Sequence, residues 1–445
     1  ISLGLVGSEM CIRDRSRIHQ FDMNDKENCM YSPDVVSFAR EKGYFNGVNK
    51  DFSFSLAYAP LDFGARRFCE ARVWSYFNKF TDNGKDYLPY IEGKTNTPMP
   101  LFVKPKHKLS VQDVKDMMRD HYEGTPLDIS NDFGAGPYKT PYRLSPLNFK
   151  VDGQEYFNER PISTQQSGFV FVSQMRSTMP DAIGGVLWFG TDDANMTVFT
   201  PVYCCTDKVP VCYSRVDGAD YITFSWNSSF WIFNWVANMV YPRYDLMIGD
   251  VRASQSEMET TFNDAQEGIE SAASKLYSKD PARAKEFLTN YTNMTAQSTL
   301  DTWKRLGEFL IVKYNDGVVK RMKDGKFERN SIGQPAGVIR PGYPKEFLQE
   351  YVKQTVRINI DVLHNRIYLG ADILDRKLFF VSGADIDREY FARVVFIEAL
   401  RNQYRRASRF RHLNEADKVD TRAGAREVIY RDPIAIDIVE HIHML

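Results

Sequence analysis

The sequence lacks most of the features that assign a protein at once to a special class. Its 57 Lys and Arg nearly balance 58 Asp and Glu, so it has no excess positive charge of the kind used to bind nucleic acid. Six cysteines in 445 residues are too few for a disulfide scaffold. A composition that is 43% hydrophobic and 26% charged excludes a disordered or collagen-like chain. At about 100 to 200 residues per domain, we expect two to four domains.

The sequence also lacks a predicted membrane span. Its longest uncharged stretch is Tyr221–Pro242, and about 20 apolar residues suffice to cross a bilayer. Ser and Asn side chains interrupt this stretch, however, and such groups are costly in hydrocarbon. We predict a buried aromatic helix with Trp231, Asn234, Trp235 and Asn238 on one face.

Common catalytic and metal-binding motifs are absent as well. There is no Walker A loop, dinucleotide fingerprint, GxSxG elbow or HExxH sequence. Cys204, Cys205 and Cys212 lie close together, but no histidine or second CxxC completes a zinc set. We interpret them as buried, inert thiols, and the pair His441 and His443 as surface residues. We therefore expect neither a metal nor a cofactor.

Both ends of the chain differ from its middle. Ile1–Arg15 places its apolar part before its charges, which is the reverse of a secretory signal, and it resembles a translated sequencing adapter. We interpret it as a non-native leader, the alternative being a native N-terminal segment. Val356–Leu445 contains 13 Arg and 2 Lys, against 19 Arg and 23 Lys before it. This change predicts a junction near Thr355 and an Arg-rich tail of uncertain origin, in which Asp387–Arg411 is a basic amphipathic helix.

Hydrophobic periodicity between these ends predicts an α+β protein. Ser110 and Asp113 form a candidate capping box for one of the helices. Helices are expected over Ser32–Lys42, Gly64–Phe80, Leu109–His121, Gln255–Tyr277, Pro281–Met294 and Ser298–Tyr314. Three strands of one sheet are expected over Ser167–Met175, Ile183–Phe189 and Ala194–Cys204.

Arg176 is the most informative single residue for function. It ends an apolar strand, where an arginine must either be paired with an acid or face a polar cavity, and both interpretations stay open. Three polar segments are further pocket candidates: His121–Asp128, Gln165–Ser167 and Trp188–Asp193. Motifs alone therefore predict an α+β protein with a carboxylate-binding pocket.

Several segments resemble one family when they are taken together and in order. The sequence is similar to the bacterial dipeptidases of the N-terminal-nucleophile cysteine hydrolase type from about Ser16 to about Thr355. The tail after Thr355 does not share this resemblance. The similar segments are Arg17–His19 with Asp25–Asn28, Asp62–Trp74 (DFGARRFCEARVW), Asp120–Asp128 (DHYEGTPLD), Ser163–Arg176 (STQQSGFVFVSQMR), Pro180–Trp188 (PDAIGGVLW) and Trp235–Arg243 (WVANMVYPR).

The resemblance implies a partial α-β-β-α layered N-terminal-nucleophile hydrolase fold over residues 16–355, followed by a helical region and an unrelated α/β tail. Such enzymes cleave dipeptides with a cysteine that heads the processed chain, its α-amino group acting as base. The resemblance implies a supporting role in the active site for Arg176 and substrate-binding roles for Gln174, Tyr122 and Glu123. The family's nucleophile and oxyanion Asn have no counterpart here, and the internal Cys11 cannot replace the nucleophile.

We therefore expect a dipeptide hydrolase that is truncated and inactive in this form. The alternative is a non-catalytic binding or scaffold protein derived from the same fold. Dipeptides are the expected partners, without nucleic acid or a membrane span. Both a cytoplasmic and an exported location, and any oligomeric state, are compatible with the sequence.

Overall fold

The computed structural model describes residue 27 and residues 30–100, 102–144, 147–354, 362–363 and 366–367. The chain divides into two units, residues 1–355 and 356–445. The second unit contributes only a short antiparallel pair to the described residues. The leader, the basic helix at 387–411, and His441 and His443 lie outside the described residues, and the interpretation of both chain ends stays a prediction.

The described residues form a mixed α+β structure, which confirms the predicted class. Helices span α1 Val35–Glu41, α2 Phe54–Tyr58, α3 Phe63–Ala65, α4 Ala71–Phe80, α5 Leu88–Ile91, α6 Val111–Met118, α7 Asp181–Gly184, α8 Ser229–Val240, α9 Tyr244–Tyr277, α10 Pro281–Tyr314 and α11 Lys345–Gln354, with a π-helical segment at Arg66–Glu70. Strands span β1 Asn148–Val151, β2 Gln154–Phe157, β3 Phe169–Met175, β4 Gly185–Thr191, β5 Thr200–Tyr203, β6 Val319–Lys320, β7 Met322–Lys323, β8 Lys326–Phe327, β9 Val338–Ile339, β10 Val362–Leu363 and β11 Arg366–Ile367.

Helix α6 begins where the sequence predicts it. The Ser110 hydroxyl accepts a hydrogen bond from the Asp113 backbone N–H at 3.1 Å, and the Asp113 carboxylate accepts one from the Ser110 N–H at 2.7 Å. This capping box satisfies N–H groups that have no partner inside the helix. It fixes the start of the helix that leads to the candidate site.

The central sheet is antiparallel with the strand order β3-β4-β5. The predicted third strand therefore joins the same sheet, but it is shorter than expected and covers only Thr200–Tyr203. One sheet face is covered by the main core, to which Val172, Val186 and Trp188 contribute. Because neighbouring residues of a strand point to opposite faces, the intervening residues form a second face. In β3 that face carries Phe169 and Met175, which are exposed.

Two helices of 34 residues, α9 and α10, pack against each other and cover the sheet. The predicted break between Met294 and Ser298 is wrong, because α10 continues through it. Thr295 is buried there and its hydroxyl donates to the Tyr291 carbonyl at 3.0 Å. A threonine that bonds the preceding helical turn fits a helix interior, so its polar character does not mark a loop.

Helix α8 confirms the predicted helix only over Ser229–Val240, because residues 221–228 of the predicted stretch are not helical. Its buried residues are Ile232, Phe233, Val236, Ala237 and Val240, together with Ser229 at its start. Trp231, Asn234 and Trp235 are half-buried and Asn238 is exposed. The apolar side of α8 packs against the protein interior, where Phe233 stacks on Trp303 of α10 with 4.7 Å between ring centres. None of the described helices combines the length and the apolar character needed to cross a bilayer.

Gly307 in α10 provides a test of this packing. A Cβ atom at Gly307 would lie 2.2 Å from a ring carbon of Trp235, so Gly307→Ala should lower the free energy of unfolding by about 1–3 kcal/mol. At Gly268 in α9 a Cβ would meet no described atom within 4 Å, so the control Gly268→Ala should stabilise by about 0.5–1 kcal/mol through helix propensity. Urea unfolding measures both. Stabilisation by both substitutions would contradict the packing.

Candidate functional site

A row of polar residues follows one side of α9, at Gln255, Glu259, Asn263, Gln266 and Glu270. Their spacing of three or four residues places them on one face of the helix. Gln255, Glu259 and Glu270 are buried, so this is not a solvated face. Each of the five bonds to side chains or backbone of α6, of the central sheet or of the adjoining loop, and we call this row the polar seam.

Arg176 joins the C-terminal end of the seam. Its guanidinium donates two hydrogen bonds to the Glu270 carboxylate, at 2.7 and 2.6 Å, and it also donates to the carbonyls of Ile183 and Gly184, each at 3.3 Å. The Tyr203 hydroxyl donates to the same carboxylate at 3.2 Å. Paired charges and satisfied donors are what a buried carboxylate requires. Arg176 is therefore paired with an acid, which was the first of its two interpretations.

Gln174 belongs to the same network. Its side-chain oxygen accepts hydrogen bonds from the Trp188 indole N–H at 3.1 Å and from the Gln266 amide at 2.9 Å. The Gln266 amide also donates to Glu270 at 2.9 Å. Gln174 and Arg176, both predicted site residues, are thus linked to each other through Gln266 and Glu270.

Two buried cations hold the middle of the seam. Arg119 donates to Glu259 at 2.5 Å, and its guanidinium lies 4.8 Å from the centre of the Phe199 ring. Lys115 is fully buried, with its Nζ 3.6 Å from the centre of the Trp188 ring and 3.3 Å from the Asn263 side-chain oxygen. Burial lowers the pKa of Lys115 to about 8. Sequence reasoning missed both cations.

Two cavities open along the seam, with Asn263 in the wall of each. The larger has a volume of about 560 Å³ and is lined by Lys79, Gln112, Asp116, Arg119, Asp120, Glu123, Arg252, Gln255, Ser256, Glu259, Thr260 and Asn263. The smaller, of about 400 Å³, is lined by Arg176, Met179, Asn263, Gln266, Glu267, Glu270, Ser271 and Ser274. Arg176 therefore borders a polar cavity as well as forming an ion pair.

Tyr122 and Glu123 are neighbours in sequence with different surroundings. Tyr122 is fully buried, its hydroxyl donates to the Arg160 carbonyl at 2.8 Å, and burial raises its pKa. Glu123 lines the larger cavity, and its carboxylate accepts from the His121 backbone N–H at 2.8 Å and lies 3.0 Å from the His121 ring Nδ1. Burial raises the pKa of Glu123, but the hydrogen bonds and charge of His121 outweigh burial and hold it at about 2.

The segment Trp188–Asp193 ends in two buried carboxyl groups. Asp192 has a left-handed backbone with φ of 64°, and its side chain accepts from the Asn234 amide at 2.9 Å. Burial raises the pKa of Asp192 to about 7. Asp193 accepts from the Ser163 hydroxyl at 2.7 Å and from the Tyr241 hydroxyl. These contacts tie the end of β4 to α8 and to the loop before β3.

Three of the described cysteines, Cys204, Cys205 and Cys212, do not supply an activated thiol. Burial raises the pKa of Cys204, Cys205 and Cys212, the last to about 11, whereas a nucleophilic cysteine needs a lowered pKa. Cys204 is exposed and Cys205 half-buried, so the prediction that these three thiols are all buried is wrong. No group of three or more His, Cys, Asp or Glu side chains within the described ranges is placed to hold a metal ion.

Comparison with known proteins covers part of this site, because the family match includes Glu123, Arg176 and Arg252 but not Glu259 or Glu270. Residues 8–257 match peptidase family C69, a match that begins inside the segment interpreted as a leader. A probable dipeptidase of Salmonella dublin is 28% identical over 190 residues, covering 43% of this chain and 38% of that protein. A probable dipeptidase of Latilactobacillus sakei is 23% identical over 228 residues (51% and 42%). A probable dipeptidase B of Lactococcus lactis subsp. lactis is 25% identical over 273 residues (59% and 51%). The chain spans about two fifths to one half of the length of these relatives.

The pairing of Glu270 with Arg176 predicts that removing one partner destabilises the protein more than replacing both. Glu270→Ala leaves a part-buried guanidinium without its carboxylate, so it should lower the free energy of unfolding by about 2–3 kcal/mol, allowing for partial exposure of Arg176. The double substitution of Arg176 and Glu270 by Met should recover much of this loss. Lys353→Ala breaks an exposed pair with Glu350 and should change stability by less than about 0.5 kcal/mol. Denaturant unfolding of the four proteins measures this, and equal losses for Glu270→Ala and Lys353→Ala would contradict it.

Asp192 predicts a pH-dependent loss of stability. Its pKa is about 7 in the folded protein and about 4 in an unfolded chain. Between these values the folded state holds the proton that the unfolded state has released, so stability falls as pH rises from about 4 to about 7 and then levels off. Asp192→Asn removes this contribution. The difference in unfolding free energy between the two proteins should therefore change between pH 4 and pH 7, and a constant difference would contradict the assignment.

Proposed function

The chain belongs to peptidase family C69, and from this membership we propose that it is part of a hydrolase that cleaves dipeptides with a cysteine nucleophile. The family match over residues 8–257 carries the proposal. These relatives are described as dipeptidases, which supports the choice of dipeptides as substrate. Since the chain spans about half of those relatives or less, the activity is proposed for the protein to which the chain contributes.

We also propose that the central sheet is one of the two sheets of an α-β-β-α layered fold. Its inner face packs on α9 and α10, while its outer face carries Phe169, Phe171, Leu187, Phe189 and Val202. Phe169 is exposed and the other four are half-buried. A continuous apolar face of this kind favours burial against another layer. We propose that the second sheet of the layered fold packs on this face.

The nucleophile in this proposal is a cysteine at the head of a processed chain. Its thiolate would attack the peptide carbonyl, with the α-amino group of the same residue as base, because that amine has a pKa of about 7.7–8.0. The raised pKa values of Cys204, Cys205 and Cys212 argue against any of them in this role. We propose that the chain without such a residue is inactive.

We propose that the four predicted residues keep their roles, and a different contact supports each of them. Arg176 acts as a positioning residue, supported by its ion pair with Glu270 and its bonds to the backbone of α7, directly before β4. Glu123 is supported as a substrate-binding residue because it lines the larger cavity. Gln174 bonds Gln266, which borders the smaller cavity. The hydroxyl of Tyr122 is engaged by the Arg160 carbonyl, so we propose that it shapes the site from behind.

Dipeptide turnover measured on two forms of the protein tests the proposal. The full 445-residue chain, incubated with Ala-Ala, should release no alanine above the level seen after iodoacetamide treatment. A form extended ahead of Ser16 by the cysteine-led segment that this proposal requires should hydrolyse Ala-Ala, and iodoacetamide should abolish this activity. Ala-Ala-Ala serves as the control for dipeptide selectivity.

The two forms separate the alternatives. Thiol-dependent turnover by the 445-residue chain would contradict the proposed inactivity but support the dipeptidase assignment. Failure of the extended form to cleave Ala-Ala would contradict the assignment and favour the non-catalytic binding or scaffold protein.

A further inference from the structure

The larger cavity contains charges of both signs that are not all paired with each other. Lys79 bonds Asp120 at 3.1 Å, and Arg119 bonds Glu259 at 2.5 Å. These two ion pairs leave Arg252 as the lining cation without a carboxylate partner among the described residues. An arginine in a cavity wall that forms no ion pair within the described residues can pair with an anionic group of a ligand.

Arg252 is held in a defined position even though its charge is unpaired. Its guanidinium donates to the Asn195 carbonyl at 2.5 Å and to the Gln255 side-chain oxygen at 2.7 Å, and it also donates to the Asn195 side chain. These acceptors are neutral, so they orient the guanidinium without cancelling its charge. A fixed guanidinium can bind a carboxylate through two parallel hydrogen bonds.

Glu123 supplies the opposite charge in the wall of the same cavity. Its low pKa keeps it ionised near neutral pH, about half of its side-chain surface is exposed at 52%, and its contacts are with His121 rather than with a lysine or an arginine. The charges of Glu123 and Arg252 both act on the Tyr244 hydroxyl, with opposite effects on its pKa. The two groups line the same cavity, yet they do not form an ion pair with each other.

We propose that this cavity binds the two charged ends of a small zwitterion, namely a free dipeptide, with its carboxylate on Arg252 and its ammonium group on Glu123. The volume of about 560 Å³ lies within the range of about 300–1,000 Å³ that small-molecule sites occupy. This inference deepens the proposed function and rests on it for the choice of a dipeptide over other zwitterions. It adds Arg252 as a residue that selects substrates with a free carboxylate.

Calorimetric titration of the full chain with three ligands tests the proposal without altering the protein. The ligands are Ala-Ala, N-acetyl-Ala-Ala, which lacks the ammonium group, and Ala-Ala amide, which lacks the carboxylate. Ala-Ala should bind, and each modification should weaken binding at least about tenfold, because each leaves one charged wall residue without its partner. Equal binding of the three ligands, dependence on one end alone, or no binding of Ala-Ala up to about 20 mM, which is weaker than about −2.5 kcal/mol, would overturn the proposal.

Two variants assign the ends of the ligand to their residues. Glu123→Gln should weaken the binding of Ala-Ala and Ala-Ala amide but leave that of N-acetyl-Ala-Ala unchanged. Arg252→Gln should weaken the binding of Ala-Ala and N-acetyl-Ala-Ala but leave that of the amide unchanged. Arg215→Gln, which removes an exposed arginine paired with Asp220, is the control and should bind all three ligands like the parent chain. If either Gln variant fails to fold, the titration of the unaltered chain with the three ligands still tests whether the cavity binds both ends of a dipeptide.

The results distinguish this inference from the proposed function. Binding that requires both free ends of Ala-Ala, together with no turnover by the extended form, would support the cavity site and contradict the dipeptidase assignment. Thiol-dependent turnover, together with equal binding of Ala-Ala, N-acetyl-Ala-Ala and Ala-Ala amide, would support the dipeptidase assignment and remove the cavity from substrate recognition.

Discussion

The polar seam of α9 is the constraint on which the rest of the described structure depends. Glu270 and Glu259 are carboxylates in the protein interior, and an ionised group there must be paired and hydrogen-bonded. Arg176 and Arg119 provide these partners from two other elements of the fold. Because a helix carries both acids in one rigid row, pairing one of them fixes the rotation and the height of α9 relative to the sheet.

The same seam accounts for the cavities. Charged and amide side chains reach different distances from the helix axis and need specific partners, so they do not fill the space between α6 and α9 as an apolar core does. The space left over is bordered by groups such as Arg252 and Glu123, whose charges are available to a ligand. Both signs of charge in one cavity fit the proposed binding of the two charged ends of a dipeptide.

Local patterns in the sequence were sufficient where one interaction decides the structure. The capping box of Ser110 and Asp113 starts α6 as predicted, and alternation placed β3, β4 and β5 in one sheet. Prediction was wrong where a side chain is compatible with two environments. Thr295 is polar but bonds within α10, so two predicted helices are one.

The sequence by itself determined the family, the α+β class and the importance of Arg176, because these follow from residue order and from the cost of leaving an arginine unpaired in an apolar strand. The tertiary structure decided that Glu270 is its partner, 94 positions away, and that Glu123 and Arg252 line one cavity. A polar row such as that of α9 has the same spacing whether it faces water or a buried acceptor. Only the elements packed against it distinguish the two, and those come from distant parts of the chain.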